Sequence, residues 1–114
     1  MATPGAPAIG KVFEALADPT RRTVVETLAS GPRRAGELAA AAGTSPPTMS
    51  RHLRVLLDVG LVVDERPASD ARARVFRLRP DSMDAVQAWL DQIQAHWDEQ
   101  LASFRRHVER RQQR

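Results

Sequence analysis

Between residues 45 and 54 the chain reads SPPTMSRHLR, and most of the residue types able to recognise another molecule gather there. Met49, Leu53, Leu56 and Leu57 fall at i, i+4, i+7 and i+8, the apolar stripe of a helix. Pro47, Thr48, Ser50, Arg51 and Arg54 then lie away from that stripe. Hydroxyls are short donors and acceptors that suit phosphates or base edges, and a guanidinium grips guanine or a phosphate through two bonds. A helix fits the DNA major groove and reads bases with its first turns. The bland alternative is a solvated helix face, where Ser, Thr and Arg are common. His52, beside Arg51, reads as a partly buried packing residue, with a DNA contact as the alternative.

A second concentration of charge follows, with Arg66, Arg72, Arg74, Arg77 and Arg79 in one short segment. Leu61-Val62-Val63 and Val75-Phe76-Arg77-Leu78 are β-prone runs flanking a polar turn, Pro67 to Arg72, which predicts a hairpin with a projecting loop. An arginine on such a loop enters a narrow minor groove, where the negative potential is greatest. Arg66, Arg72 and Arg74 are the candidates, while Arg77 and Arg79 read as too close to the body of the fold. The competing explanation is a charged strand edge that discourages aggregation.

Helices must position these two groups. Ile9, Val12, Phe13 and Leu16 recur at helical spacing over Ile9 to Ala17. Asp18-Pro19 starts a second helix, since Asp accepts from free amides and Pro fits the first position. Its residues Val24, Val25 and Leu28 are expected inward, and Arg21, Arg22 and Glu26 outward. Gly31-Pro32 stops it. A short helix is expected over Arg33 to Ala42, ending at Gly43. Ser45, itself a candidate DNA contact, then caps the helix that carries the other candidate contacts, Pro46 takes its first position, Pro47 its second, and Gly60 ends it. Two helices joined by a short turn, the second polar on one face, suggest a helix-turn-helix, and the hairpin behind it adds a wing.

From Asp81 onward one long helix is expected, with Val86, Leu90, Ile93, Trp97, Leu101, Phe104 and Val108 as its stripe. A single small domain does not readily cover that stripe together with Trp89. It therefore predicts a two-fold dimer surface built from Trp89, Leu90, Ile93, Trp97, Leu101 and Phe104, with Val12, Phe13 and Leu16 of the first helix helping. Dimers also suit paired DNA half-sites one helical turn apart. The alternative is packing within the chain. His96 and His107 are eleven residues apart on nearly one helix face. At about 16 Å they are too far apart to share an ion within one chain, so no metal site is expected.

Composition excludes much else. With 114 residues the chain is one domain, and with no cysteine it has neither disulfides nor thiolate chemistry. The basic residues are sixteen Arg and the single Lys11, but the net charge is only +3, so their placement says more than their number. No apolar run reaches membrane-span length, and the opening MATPGAPAIG lacks the pattern of a secretory signal, so a cytoplasmic location is expected. There is no glycine-rich phosphate loop, HExxH, GxSxG or nucleophile–base pair, so an enzyme is not expected, nor a cofactor.

FEALADPTRRTVVETL, then GELAAAAGTSPPTMSRHLRVLLDVGLV, then the arginine-bearing hairpin resemble the ArsR/SmtB family of bacterial transcriptional regulators over residues 9–80, with a compatible last helix. The resemblance implies a homodimeric winged-helix repressor that binds operator DNA near its own promoter and releases it when an effector arrives. It maps the recognition helix onto Pro46–Val59, placing Thr48, Ser50, Arg51 and His52 at DNA-contacting positions, and the wing onto Arg66–Arg74. Two family metal sites are missing. Where thiolate sensors carry cysteines the chain reads Arg33-Arg34-Ala35-Gly36-Glu37-Leu38. Where others carry Asp and His it reads Asp81-Ser82-Met83-Asp84. The tail AWLDQIQAHWDEQLASF looks like a metal-independent branch. The wing has Ala71 where a glycine is usual, so Ser69-Asp70 is expected to form the tip.

The fold class expected is therefore mainly α with a β-hairpin wing. Residues 1–8 read as a lead-in, 9–111 as one winged helix-turn-helix domain whose dimerisation helix begins near residue 81, and 112–114 as a frayed tail. The partners expected are double-stranded operator DNA, a second copy of the chain and a small-molecule effector of unknown identity, with no membrane. The alternatives are a winged-helix protein–protein adaptor and a metal-responsive repressor using His96 and His107.

Overall fold

Asp18 sets the first junction. In the computed structural model, which describes residues 9–70 and 72–113, helix α1 spans Ile9–Leu16 and helix α2 spans Pro19–Leu28. The expected lead-in over 1–8, Ala71 and Arg114 lie outside the described residues. The Asp18 carboxylate accepts from the backbone N–H groups of Thr20 (2.8 Å) and Arg21 (3.1 Å), satisfying two of the donors a helix start leaves free. Those bonds, the Arg21 N–H foremost, hold the Asp18 carboxyl below its usual range.

After Gly31-Pro32 the chain departs from expectation. Arg33–Arg34 form a short strand, β1, and helix α3 spans only Ala35–Ala42. Arg33 and Arg34 find pairing partners in Phe76 and Val75, which hold both residues extended ahead of the helix. The Glu37 side chain accepts from the Arg34 N–H (3.1 Å), which fixes the start of α3 at the strand end. Gly43, with φ +65°, closes α3 in the left-handed conformation that favours glycine. Thr44 N–H then donates to Ala39 O, and the chain turns into helix α4, Pro46–Asp58.

Strands β2 (Val62–Glu65) and β3 (Val75–Leu78) form the hairpin, and β1 joins its other side, giving the order β1-β3-β2, antiparallel throughout. Leu61, expected within the first strand, is buried just ahead of it, where its carbonyl accepts from Arg79 N–H (2.9 Å) and closes the hairpin base. Pairing of Val62 with Leu78 and Asp64 with Phe76 puts these four on one sheet face. Helix α5, Pro80–Gln112, is one uninterrupted element of 33 residues and begins a residue before the expected Asp81.

The core sits where α1 to α4 meet that sheet face. Val12, Val24, Leu38, Met49, Leu56, Leu61, Val62 and Phe76 are all but completely removed from solvent. The apolar residues expected inward on the second and fourth helices, Val24, Leu28, Met49, Leu53 and Leu56, are there, and Val25 and Leu57 pack at the margin. No helix among the described residues is long and apolar enough to cross a membrane.

Candidate nucleic-acid interface

Ser45 starts α4 as its cap. Its Oγ accepts from the Thr48 N–H (3.4 Å) and donates to Thr48 Oγ1 (3.0 Å), and Arg51 Nη2 donates to the same hydroxyl (3.3 Å). Ser45, Thr48 and Arg51, three residues apart in turn, thus form a polar ladder on the outside of the first turns. Pro47, Ser50, Arg51 and Arg54 are exposed, and Thr48 is half-buried. Ser50 and Arg54 line a shallow cleft of about 130 Å³ that Leu53, Leu57, Arg74 and Phe76 complete between α4 and the wing.

His52 points the other way. It is half-buried, and its Nδ1 lies 3.3 Å from Arg21 Nη1. A guanidinium only donates, so this contact requires the tautomer with Nδ1 unprotonated. Arg21 Nε donates to the Ala15 carbonyl at the end of α1 (2.6 Å). Arg21, expected outward, is instead a half-buried brace joining α1, α2 and α4. The unsatisfied carbonyls ending α1 drew the guanidinium inward. Arg22 does the same from the surface, donating to Leu16 O (2.7 Å) and Ala17 O (3.1 Å).

In the wing, Asp70 N–H donates to Pro67 O and Arg72 N–H donates to Asp70 Oδ1, so a turn over Pro67–Asp70 shapes the tip. No described non-glycine residue has positive φ, so this turn needs no glycine. Arg66, Arg72 and Arg74 are all exposed. Arg74 is already engaged: Nε lies 2.6 Å from Asp64 Oδ2, and the guanidinium lies 4.9 Å from the centre of the Phe76 ring. That bond from Arg74 is the main reason the Asp64 carboxyl is held below its usual range. Arg77 lies 3.4 Å from Glu65 and Arg79 lies 2.8 Å from Asp81, so both are paired close to the body of the fold. Asp64 and Arg21 were missed from sequence. Asp64 was within reach, because strand alternation in the hairpin puts Asp64, Arg74 and Phe76 on one face. No local pattern marks Arg21.

The apolar residues of α1 and α5 divide. Phe13, Leu90, Ile93, Trp97, Leu101 and Phe104 are exposed, between 40% and 66%. Trp89 is half-buried against Phe13 in an edge-to-face contact, with centroids 5.0 Å apart. Leu16 packs at the core margin. Val12, expected at an interface, is wholly buried in its own chain's core and supports that surface from beneath, because helix–helix packing with α2 claims its side of α1. Among the described residues no three His, Cys, Asp or Glu side chains converge on a metal position.

Taken together, a helix-turn-helix of α3 and α4 with a three-stranded wing defines the winged helix-turn-helix class. A family model described as a helix-turn-helix domain matches residues 16–65. The HTH-type transcriptional regulator Rv2034 of Mycobacterium tuberculosis is 42% identical over 94 residues, 82% of either chain. The transcriptional repressor SdpR of Bacillus subtilis is 36% identical over 58 residues, 51% of this chain and 64% of that one. Among solved structures, an ArsR family transcriptional regulator superposes with a TM-score of 0.70 at 33% identity, covering 79% of this chain and 96% of that one. The homodimeric winged helix-turn-helix DNA-binding domain of a possible ArsR-family regulator from Mycobacterium bovis does so with 0.59 at 28% identity, over 82% and 81%. The chain belongs to the ArsR family of transcriptional regulators, which are not enzymes.

Proposed function

We propose that this regulator is an autoregulatory repressor that binds operator DNA as a homodimer. Thr48, Ser50 and Arg51 face base edges from the start of α4, Ser45 and Arg54 hold phosphates, and Arg66 and Arg72 of the wing reach the minor groove. The observation that carries the reading is the outer face of α4, where Pro47, Ser50, Arg51 and Arg54 are exposed beside a wing bearing Arg72 and Arg74. An adaptor docking through the same helix would present an apolar patch there; this helix presents hydroxyls and guanidinium groups. His52, turned toward Arg21, orients the helix from behind. The dimer forms through α1 and α5, the effector is a small molecule other than a metal ion, and the protein acts in the cytoplasm.

Fluorescence anisotropy with DNA from upstream of the chain's own gene, against a scrambled duplex, tests this. Selective binding at a stoichiometry of two chains per duplex is expected, weakening with salt at a slope of about −0.9 per phosphate neutralised. Equal, weak binding to both duplexes overturns the autoregulatory reading. Unchanged affinity on adding or chelating zinc is expected as well, and a zinc-dependent change overturns metal independence.

A further inference from the structure

Ser50 and Arg54 lie one turn apart on the same face of α4, and both are exposed. Among the described residues neither side chain has a hydrogen bond or an ion pair. They form the polar side of the cleft of about 130 Å³ between α4 and the wing. The rest of its lining is apolar. Leu53 and Phe76, almost wholly buried, lie at the floor, and Ala35 and Leu57, half-buried, lie at the sides. Arg74 completes the cleft as a fixed wall, since Asp64 binds its Nε at 2.6 Å and its guanidinium lies 4.9 Å from the centre of the Phe76 ring.

The two cations are therefore unequal. Asp64 already offsets the charge of Arg74, whereas no acid among the described residues pairs with Arg54, not even Asp58 one turn further along α4. A free guanidinium is a fork of parallel donors that fits the two oxygens of a carboxylate. The Ser50 hydroxyl is a further donor beside it. Volume sets the size of the remaining part of a ligand. A closed apolar cavity of about 150 Å³ takes one benzene, so this cleft suits a single ring or a short branched chain against Leu53, Leu57 and Phe76. A bare anion would leave those apolar walls uncovered, and a neutral hydrocarbon would leave Arg54 unanswered.

We propose that this cleft binds a small monocarboxylate with a compact apolar body, and that this ligand and DNA exclude each other. The second half rests on the operator reading above, where Ser50 and Arg54 are assigned to the duplex. The carboxylate takes the contacts that DNA needs, so it acts as an inducer at the DNA face itself.

Benzoate is the probe. Followed through the backbone amide NMR spectrum of the full chain without DNA, it should bind with a dissociation constant on the order of millimolar, as so few non-hydrogen atoms permit. The shifts should centre on residues 50–57 and on Arg74 to Phe76. Acetate, inorganic phosphate and benzamide should each bind roughly tenfold more weakly, since each lacks half of the match. Shifts centred elsewhere, or acetate and phosphate as effective as benzoate, overturn the site. Arg54→Gln should lose most of the response. Ala35→Leu, which fills the apolar side, should lose it too while binding operator as the unmodified chain does. Circular dichroism checks that both variants fold, and Arg54→Gln, at an exposed position, decides alone if Ala35→Leu does not. Benzoate binding undiminished in the folded variants overturns the assignment. In anisotropy with operator, benzoate at about ten times its dissociation constant should weaken the duplex several-fold, with acetate at equal ionic strength as the reference. Benzoate bound in the cleft with operator affinity unchanged overturns the exclusion. A chain that takes benzoate there but selects no duplex overturns the operator reading and leaves the ligand site standing.

Discussion

At the residue scale, Arg51 and Arg54 are neighbours on α4 with different surroundings. Arg51 is steered by Thr48, while Arg54 lies in the cleft beside the wing, with no partner for its side chain among the described residues. Arg51→Ala should cost about 1–3 kcal/mol of specific binding and relax the preference at one base pair. Arg54→Ala should weaken all duplexes alike and lower the salt slope by about 1. Competition titrations with single-base-pair variants of the operator check both. Asp64 acts in the opposite sense. It holds Arg74 at 2.6 Å, so a phosphate must compete with a carboxylate for that guanidinium. Asp64→Asn should tighten binding to scrambled duplex and steepen its salt dependence by about one phosphate. An unchanged slope for the scrambled duplex would show that Arg74 does not reach DNA.

At the scale of elements, the joints were the least legible parts of the sequence. Asp18, Ser45 and Gly43 are local signals, and the caps and turns they predict are present because a cap is settled by the residue and the amides next to it. Strand β1 was not legible, because two arginines have no pattern and become a strand only when β3 lies alongside. Arg21 was misread for a related reason: its acceptors lie on two other helices, 6 and 31 residues away in the chain. The exposed ladder of α4 was readable from spacing, yet the inward turn of His52 was not, since the rotation of about 100° that separates it from Arg51 places it against α2. Arg21→Ala should therefore lower both the melting temperature and operator affinity. Arg21→Lys should not restore either, because an ammonium cannot span both acceptors with the fixed fork of a guanidinium. Circular dichroism and anisotropy on the same preparations measure this. The cap of α2 carries its own pH dependence. A depressed Asp18 pKa means a stabilisation fully present above the unfolded-state value and lost as pH falls through the folded one. The stability difference between wild type and Asp18→Ala, followed by urea melts, should shrink as the pH falls below about 4.

For the whole molecule, one core residue ties wing to helices. Phe76 is 1% exposed, pairs with both β1 and β2, and lies under Arg74. Phe76→Ala should destabilise the fold by about 3–5 kcal/mol in urea unfolding, through lost burial and the cavity left behind. The general plan of the molecule was readable because helical spacing and turn residues repeat the same message along most of the chain. Which apolar residues remain uncovered was less readable. Val12 and Phe13 are adjacent and equally apolar, and only the packing of α1 on α2 separates a core residue from a surface one.

Arg21 has a consequence beyond bracing. One guanidinium touches the carbonyl that ends α1 and the imidazole on the inner side of α4. If α1 is held by a second chain and α4 by a nucleic acid, both events bear on the position of the same planar group. Linkage is reciprocal for binding free energies. Whatever fraction of its grip on DNA the protein owes to being paired, DNA must return by tightening the pair in equal measure, and a ligand that pries at either end will be felt at the other.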